Sequence, residues 1–371
     1  MATPKLRFKE FDGDWSAQKY KDALTIKYGK DHKLLEDGEI PVYGTGGVMR
    51  YVNQYLYDGE SILIGRKGTI DQPKYVNEKF WTVDTLFYSE IKQNIYPLFI
   101  YQHALQVNWL GLNEATGVPS LNTTSINNVD IYLPSKEEQT KIASFLSAVD
   151  EKISQLTQKN ELLSQYKQGM MQKLFSQQIR FKADDGSEFG EWVLSELDPY
   201  IQESKDSSKI QDEYEVLTSS RRGLIRQAEY FEDSRLADRE NIGFNIIQPN
   251  QITYRSRSDD GLFFFNLNEL NITGIISTYY PVFTMKNGNN KFFYECLNFH
   301  KHKYIQYAVG TSQLVLSLNQ LRKIKFRIPC IEEQTKIANF LSAIDEKIEV
   351  VAQQIEQAKK WKKGLLQQMF V

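Results

Sequence analysis

Features that mark several protein classes are scarce in this chain of 371 residues. Its two cysteines, Cys296 and Cys330, cannot build a disulfide framework or a CxxC metal knuckle. No apolar run approaches the ~18–20 residues that span a bilayer. The first residues lack an apolar signal core, so we expect a cytoplasmic protein with no membrane contact. The net charge of −2 provides no general attraction to nucleic acid, and any such function must depend on local basic patches.

Motifs of common enzyme chemistry are also missing. All ten prolines are isolated, which excludes the Asn/Asp-Pro-Pro-aromatic loop of adenine methyltransferases, and no GxxxxGK[ST] phosphate loop occurs. Asp84, Glu90 and Lys92 imitate the D…ExK metal site of a nuclease, at a spacing that is common by chance. A zinc site at 296–302, where Cys296, His300 and His302 lie, lacks a fourth ligand. We therefore expect no catalytic residue and no metal ligand in this chain.

The chain contains a strong internal repeat. Residues 134–153 read PSKEEQTKIASFLSAVDEKI and residues 329–348 read PCIEEQTKIANFLSAIDEKI, with sixteen of twenty positions identical at an offset of 195. A shorter echo consists of Arg7, Phe8, Lys9 and Trp15 in the first half and Arg180, Phe181, Lys182 and Trp192 in the second. The repeat predicts that each half is built as a short head, a variable body, a proline and a helix.

Both repeated segments open long helices with a hydrophobic seam. Apolar residues recur at alternating steps of four and three, which is the spacing of a coiled coil. The seam consists of Ile142, Leu146, Val149, Ile153 and Leu156 in the first helix and of Ile337, Leu341, Ile344, Ile348 and Val351 in the second. We expect these residues to form the coiled coil and to contact partners. A helix of about 40 residues would be roughly 60 Å long.

The order of the segments predicts the domain organisation. We place a first body at 1–133, a central helix at 134–178, a second body at 179–328 and a C-terminal helix at 329–371. Because the first helix leads from the first body to the second, packing seam on seam requires an antiparallel pair. The expected fold class is α+β, with two α/β domains separated by two long antiparallel coiled-coil helices and related by pseudo-two-fold symmetry.

Gly169 and Gly364 interrupt the two helices at equivalent places, each at a cost of about 1 kcal/mol relative to alanine. One interpretation is a fraying last turn, which we favour slightly. The other is close backbone approach by a partner.

The two bodies share an architecture but differ in their middle sequences. Short β-type runs occur at 61–64, 80–83, 251–254, 274–277 and 280–283, and helical stretches at 95–107 and 299–309. The last dozen residues of each body align again at the offset of 195, whereas the middles do not. Equivalent scaffolds with divergent faces indicate that two different features are recognised at a set distance.

Basic and hydroxyl residues cluster on turns inside those middles. In the first body the candidates are Tyr43, Thr45, Arg66, Lys67 and Thr69; in the second they are Ser219, Ser220, Arg221, Arg222, Tyr254, Arg255, Arg257 and Ser258. Arginine and lysine beside glycine permit close approach to phosphate, and an arginine fork can recognise guanine in the major groove. A solvated turn is the simpler interpretation of any single residue, but four clusters in matched bodies favour a DNA-binding surface.

With these residues in place, the chain resembles the specificity (S) subunits of type I restriction–modification systems. The paired Pro-x-x-Glu-Glu-Gln-Thr-Lys-Ile-Ala segments carry the resemblance most specifically. The stretches IPVYGTGG at 40–47, GRKGTI at 65–70, WTVDT at 81–85 and RSRSDDG at 255–261 are similar to that family's recognition domains. Many family members have longer helices or extra central repeats, so the spacer length cannot be carried over.

The resemblance implies a non-catalytic subunit with two target-recognition domains, each of which reads one half of a bipartite, asymmetric site in double-stranded DNA. It implies that the helices set the unread spacer and dock two methyltransferase (M) subunits, with two restriction/translocase (R) subunits in the full complex. S-adenosylmethionine, Mg²⁺ and ATP would belong to those partners, and no cofactor to this chain.

Two other functions remain open at this point. A coiled-coil adaptor that joins proteins without reading DNA would show no preference for any duplex sequence. A metal-dependent nuclease using Asp84, Glu90 and Lys92 would cleave DNA without partners.

Overall fold

The computed structural model describes residues 3–230, 240–311 and 313–371. The chain forms two compact units. Unit 1 consists of Met1–Asn160 and Val350–Val371, and unit 2 of Glu161–Glu349.

Unit 1 is built around a mixed β-sheet. Its elements are β1 (Ser16–Lys19), α1 (Tyr20–Ala23), β2 (Leu24–Tyr28), β3 (Asp37–Gly44), β4 (Gly47–Val52), β5 (Tyr57–Gly65), β6 (Lys74–Thr82), β7 (Leu86–Ile91), α2 (Pro97–Ala104), α3 (Thr123–Asn127), β8 (Asp130–Leu133) and the first part of α4 (Lys136–Phe175). Six strands follow the order β2-β7-β5-β6-β3-β4. The β3–β6 pair is parallel and the other neighbours are antiparallel, while β1 pairs separately with β8.

Unit 2 contains two four-stranded sheets instead of one larger sheet. Its strands are β9 (Val193–Glu196), β10 (Ile201–Ser204), β11 (Glu215–Ser220), β12 (Gly223–Arg226), β13 (Asn245–Ile247), β14 (Ile252–Tyr254), β15 (Arg257–Ser258), β16 (Phe265–Leu267), β17 (Gly274–Ile276), β18 (Val282–Met285), β19 (Leu314–Val315) and β20 (Lys325–Ile328). The sheet orders are β10-β18-β14-β16 and β12-β11-β17-β13. The bodies therefore differ in topology as well as in sequence.

The described residues of unit 2 include the helices α5 (Gln227–Tyr230), α6 (Asn290–Phe299) and α7 (Leu318–Arg322), together with the last part of α4 and the first part of α8 (Ile331–Met369). The predicted helical stretch at 299–309 is confirmed only in part, because it contains a 3₁₀ helix at 301–306, whereas the α-helix of this region, α6, ends at Phe299. The side chain of Asn289 accepts a hydrogen bond from the Phe292 amide, and α6 starts nine residues earlier than the predicted stretch.

The two long helices are confirmed, with 40 residues in α4 and 39 in α8. Unit 1 contains the N-terminal part of α4 and the C-terminal part of α8, and unit 2 contains the remaining parts. Each unit therefore joins the beginning of one long helix to the end of the other, which is the combination that an antiparallel pair requires.

The predicted seam residues are covered by their own chain. Ile142, Leu146, Val149 and Ile153 belong to the hydrophobic core of unit 1; Ile337, Leu341, Ile344 and Ile348 belong to that of unit 2; and Leu156 and Val351 are also buried. The prediction that these side chains also contact partner proteins needs correction, since they are already occupied within the units.

The repeated head is bound to the repeated helix by a buried ion pair. In unit 1, Arg7 Nε and Nη2 donate to the two carboxylate oxygens of Glu138, both at 2.7 Å. The indole of Trp15 donates to the same carboxylate at 3.3 Å. In unit 2, Arg180 donates to Glu333 at 3.1 and 2.7 Å, joined by the indole of Trp192 at 3.0 Å. The two sequence echoes are therefore one structural device, used twice.

A matching hydrogen bond closes each head onto a helix end. The amide of Ile179 donates to the Lys173 carbonyl near the end of α4, and the amide of Leu6 donates to the Gln368 carbonyl near the end of α8. Lys173 and Gln368 are related by the same offset of 195.

Among the described residues, no helix has the length and apolar character needed to cross a membrane.

Candidate nucleic-acid interface

A cleft of about 1210 Å³ opens on unit 2 where the hairpin β11–β12 faces the segment that follows β14. Seven of the eight predicted residues of this body line it: Ser219, Ser220, Arg221, Arg222, Arg255, Arg257 and Ser258. The two basic clusters are more than 30 positions apart in sequence. Folding thus places them on one concave surface.

The hairpin turn puts Arg221 and Arg222 at its tip. Ser220 pairs with Gly223 across the turn, and the Ser220 hydroxyl accepts from the Arg222 amide at 3.0 Å. Gly223 has φ +123°, a conformation that a residue with a side chain rarely adopts. This turn presents two consecutive arginines to the cleft.

The opposite wall is fixed by backbone contacts. The amide of Ser256 donates to the Tyr279 carbonyl at 3.1 Å, and its hydroxyl to the same oxygen at 2.7 Å. Arg257 then enters β15, paired with Val315. Arg255 and Arg257 lie on either side of this anchored serine and are exposed.

Two of the four arginines are held by other side chains. Arg221 Nη2 lies 2.5 Å from Asp260 Oδ2, and its guanidinium lies 5.2 Å from the centre of the Phe264 ring. The guanidinium of Arg257 lies 4.2 Å from the centre of the Tyr279 ring.

Asp260 is itself fixed by its own loop. Its Oδ1 accepts from the Ser258 hydroxyl at 2.9 Å and from the Leu262 amide at 3.2 Å. The hydrogen bond from Arg221, helped by these two, lowers the pKa of Asp260 to about 2, so the carboxylate is ionised at neutral pH.

Three predictions in this body need correction. Tyr254 is fully buried, and its hydroxyl donates to the Leu316 carbonyl, so it is a core residue and cannot contact DNA. Ser219 and Ser258 border the cleft but are more than nine-tenths buried. Ser219 accepts from Asn266 and Ser258 donates to Asp260, so these serines support the cleft wall.

In unit 1 the two predicted turns also lie side by side. A Cβ built on Gly68 would lie 3.8 Å from the Thr45 hydroxyl, so the turn at 65–69 borders the turn at 44–47. The amides of Arg66 and Lys67 donate to the Thr85 carbonyl, and the amide of Val83 donates to the Tyr43 carbonyl. Three separate stretches of sequence are therefore neighbours in unit 1.

The predicted side chains of unit 1 differ in how freely they are presented. Lys67 is exposed, and Thr45 and Thr69 are half-buried. Arg66 donates to the Asp84 carbonyl at 3.1 Å and lies over the Tyr28 ring. The hydroxyl of Tyr43 donates to Glu78, and burial together with that carboxylate raises the pKa of Tyr43 to about 12.

The sequence reasoning missed Phe264, Asp259 and Tyr280, which also line the cleft of unit 2. Phe264 stands between two buried phenylalanines, Phe263 and Phe265. Alternation in an extended segment would have indicated that this middle ring points away from the core.

The nuclease-like residues have other partners. Glu90 pairs with Lys27 at 3.4 Å, and Lys92 donates to the Lys21 carbonyl at 2.7 Å. His300 Nδ1 bonds to the Cys296 carbonyl at 2.8 Å. In the residues that the structure describes, no three His, Cys, Asp or Glu side chains are grouped as metal ligands would be.

Comparison with known protein families shows which family the chain belongs to. The family model of the type I restriction modification DNA specificity domain matches twice, at residues 13–165 and 212–360. The chain belongs to this specificity family. Both matches include a variable body and part of a long helix, so the duplicated architecture is the family's own domain repeated.

Individual members of the specificity family agree with this. The type I restriction enzyme MjaVIII specificity subunit of Methanocaldococcus jannaschii is 24% identical, over 97% of this chain and 94% of the relative. The EcoprrI specificity subunit of Escherichia coli is 22% identical over 43% of this chain and 42% of the relative.

Two solved structures share the fold. The S subunit of a type I restriction–modification system from M. genitalium superposes with a TM-score of 0.65 at 15% identity, covering 100% of this chain and 99% of that one. A chain from a study of complex assembly and conformational transition in the type I R-M system gives 0.53 at 12% identity, covering 96% and 97%.

Proposed function

We propose that this chain is the DNA-reading subunit of a type I restriction–modification complex and carries no catalytic site itself. Each unit reads one half of a bipartite, asymmetric duplex site, and the two long helices set the unread spacer. The observation that carries the proposal is the convergence of two basic clusters, distant in sequence, on one cleft of unit 2. A concave surface with arginines on both walls suits a phosphate backbone and the base edges beside it.

The difference between the bodies supports an asymmetric site. Unit 1 offers Arg66 and Lys67 on the turn that follows β5 of a six-stranded sheet, whereas unit 2 offers four arginines around one cleft. Surfaces with different chemistry recognise different base sequences.

The helices offer a repeated surface for the two methyltransferase subunits. Tyr166 and Trp361 occupy equivalent positions at the offset of 195, and both are about half exposed, at 51% and 54%. A Cβ added three residues later, at Gly169 or Gly364, would meet no atom within 4 Å. Both glycines lie more than a turn before the helix ends. This favours close approach by a partner over a fraying last turn.

In this proposal the other components belong to the partners. Two methyltransferase subunits bring S-adenosylmethionine, and two restriction/translocase subunits bring ATP and Mg²⁺. The chain itself recognises the two half-sites and sets the distance between them.

The test is selection of duplexes from a random pool by the chain assembled with its methyltransferase subunit. We expect two informative stretches of sequence separated by an uninformative gap. Arg255→Ala with Arg257→Ala should relax one stretch, and Arg66→Ala with Lys67→Ala should relax the other. Each lost bidentate base contact should reduce discrimination by about 1–3 kcal/mol.

Arg226→Ala is the matched control, because Arg226 lies on β12, does not itself line the cleft, and already pairs with Glu215 and Glu229. It should leave both stretches unchanged. Absence of any duplex preference in the assembled complex would favour the adaptor function, and Mg²⁺-dependent cleavage by the chain alone would favour the nuclease. Either result would overturn the proposal.

A further inference from the structure

The four arginines of the unit 2 cleft fall into two classes. Arg221 and Arg257 are held, the first by Asp260 and Phe264 and the second by the Tyr279 ring. Arg222 and Arg255 are exposed, and no hydrogen bond or ion pair engages either guanidinium within the described part of the chain.

The distinction matters because base edges and phosphates make different demands. Reading guanine requires both donors of one guanidinium edge to meet O6 and N7 at the same time, so orientation decides the strength of the contact. A phosphate accepts a cation from many directions, and a mobile side chain serves well. Residues held before binding also lose less conformational freedom on binding.

Asp260 is the informative residue. Its side chain is 42% exposed and lies next in sequence to Asp259, a residue of the cleft that we assign to DNA, where a carboxylate would repel phosphates. The loop nevertheless fixes it with hydrogen bonds from Ser258 and Leu262 and directs it at Arg221. A role in orienting the guanidinium explains why an acid stands there.

Resting on the proposed function, we propose that Arg221, oriented by Asp260 and Phe264, reads a guanine in the half-site of unit 2, while its neighbour Arg222 contacts the phosphate backbone. Arg221 Nη2 is engaged by Asp260, and no hydrogen bond to another described residue occupies the remaining N–H groups of the fork, which can face a base. Asp260 acts as a positioning residue.

Lysine substitutions separate the two roles, because lysine keeps the charge and loses the fork. The assembled complex with the methyltransferase subunit is used for pool selection and for affinity measurements at several salt concentrations. Arg221→Lys should relax one base position in one half-site by about 5- to 150-fold, which corresponds to one bidentate pair. Arg222→Lys should leave the selected sequence and the salt dependence unchanged.

Alanine at position 222 extends the contrast. Arg222→Ala should weaken binding to all sequences alike, and the slope of log K against log salt should fall by about 1.

Asp260→Asn tests the positioning role. It should relax the same base position as Arg221→Lys by a smaller factor, and adding it to Arg221→Lys should change nothing further, since both act through one guanidinium. A merely structural Arg221–Asp260 pair would instead lower the melting temperature and leave every position equally selective.

Arg226→Lys, outside the cleft, is the control and should match the parent complex. If the parent complex selects no bipartite sequence, the proposed function fails. If the parent complex selects one and Arg221→Lys leaves both halves intact, or Arg222→Lys relaxes a position instead, this inference fails while the proposed function stands.

Discussion

The two units differ most instructively where a short helix of each body meets the long helices. Both contain an ion pair fixed by the repeat: Lys362 lies 2.7 Å from Asp150 in unit 1, and Lys167 lies 2.8 Å from Asp345 in unit 2. Helices α2 and α6 then contribute different partners. In unit 1, Gln102 donates to Asp150 at 2.9 Å; in unit 2, Glu295 accepts from Lys167 at 2.9 Å.

The extra carboxylate of unit 2 is compensated by a lysine on the same helix, α6. Gln102 and Glu295 are each the sixth residue of their helix, and the second residue is Leu98 in α2 and Lys291 in α6. Lys291 lies 3.9 Å from Glu295 and 3.7 Å from Asp345. Unit 2 therefore buries one more carboxylate and supplies one more lysine. The scaffold tolerates either arrangement provided that each buried charge has a partner.

The largest expected effect tests this dependence on pairing. Lys167→Met should lower the free energy of unfolding of unit 2 by about 3–5 kcal/mol, because the Glu295 side chain, 3% exposed, loses its nearest cation. Lys362→Met in unit 1 should cost at most about 1 kcal/mol, since Asp150 is 40% exposed and keeps Gln102. Hydrogen exchange followed on peptides from each unit measures both.

A second substitution sharpens the result. Adding Glu295→Gln to Lys167→Met should recover most of the lost stability, because it removes the buried charge that has lost its nearest cation. Equal losses in the two units, or no recovery, would contradict the interpretation of unit 2 as the unit with the greater buried charge.

The next effect concerns what the units share. Glu138→Gln and Glu333→Gln should each destabilise their own unit by about 3 kcal/mol, because each leaves a mostly buried arginine without its carboxylate. The adjacent exposed residues supply the controls, Glu137→Gln and Glu332→Gln, which should change stability by less than about 0.5 kcal/mol. A difference of more than about 1 kcal/mol between the two main variants would show that the repeated device is not energetically equivalent.

The last effect depends on pH and is absent at neutral pH. His103, the seventh residue of α2, is buried with Nδ1 2.9 Å from the Tyr20 hydroxyl, and burial lowers its pKa to about 4. Between pH 6.5 and 4 the unfolded chain binds more protons than the folded one, so stability falls with falling pH. The loss approaches roughly 3 kcal/mol at pH 4, spread over this range, and is absent above pH 6.5.

Unit 2 provides the comparison. The seventh residue of α6 is Cys296, whose pKa burial raises to about 12, so it does not titrate in that range. Burial also lowers the pKa of His300, which gives unit 2 a dependence of the same sign. His103→Gln should flatten the pH dependence of hydrogen exchange in unit 1 between pH 6.5 and 4. An unchanged slope would mean that another group carries it.

The helices and the duplication could be predicted from the sequence because their signals are local and repeated. Heptad spacing and the identical EEQT segments locate α4 and α8 closely. The ion pair between head and helix could not be predicted, because Arg7 and Glu138 are 131 positions apart and no local pattern in either segment indicates its partner. Sheet order in the bodies depends on such distant pairings, and it differs between the units.

The candidate site could be predicted only where its residues follow a local sequence pattern. Glycine-rich turns located Arg221 and Arg222 correctly on an exposed tip. Tyr254 follows the same polar pattern in sequence but ends a strand buried on all sides. Its hydrogen bond to Leu316 depends on a contact 62 positions away, which no local pattern contains.

The hydrogen bond between each head and a helix end forms with two very different chain connections. Five residues of continuous chain link Lys173 to Ile179, whereas Gln368 and Leu6, bonded in the same way, are separated by 362 positions. A short peptide between the two segments is therefore not needed for this joint, because the same amide-to-carbonyl hydrogen bond forms at Leu6 and Gln368 without one. We therefore expect a polypeptide that is cleaved at 176–178 to remain assembled.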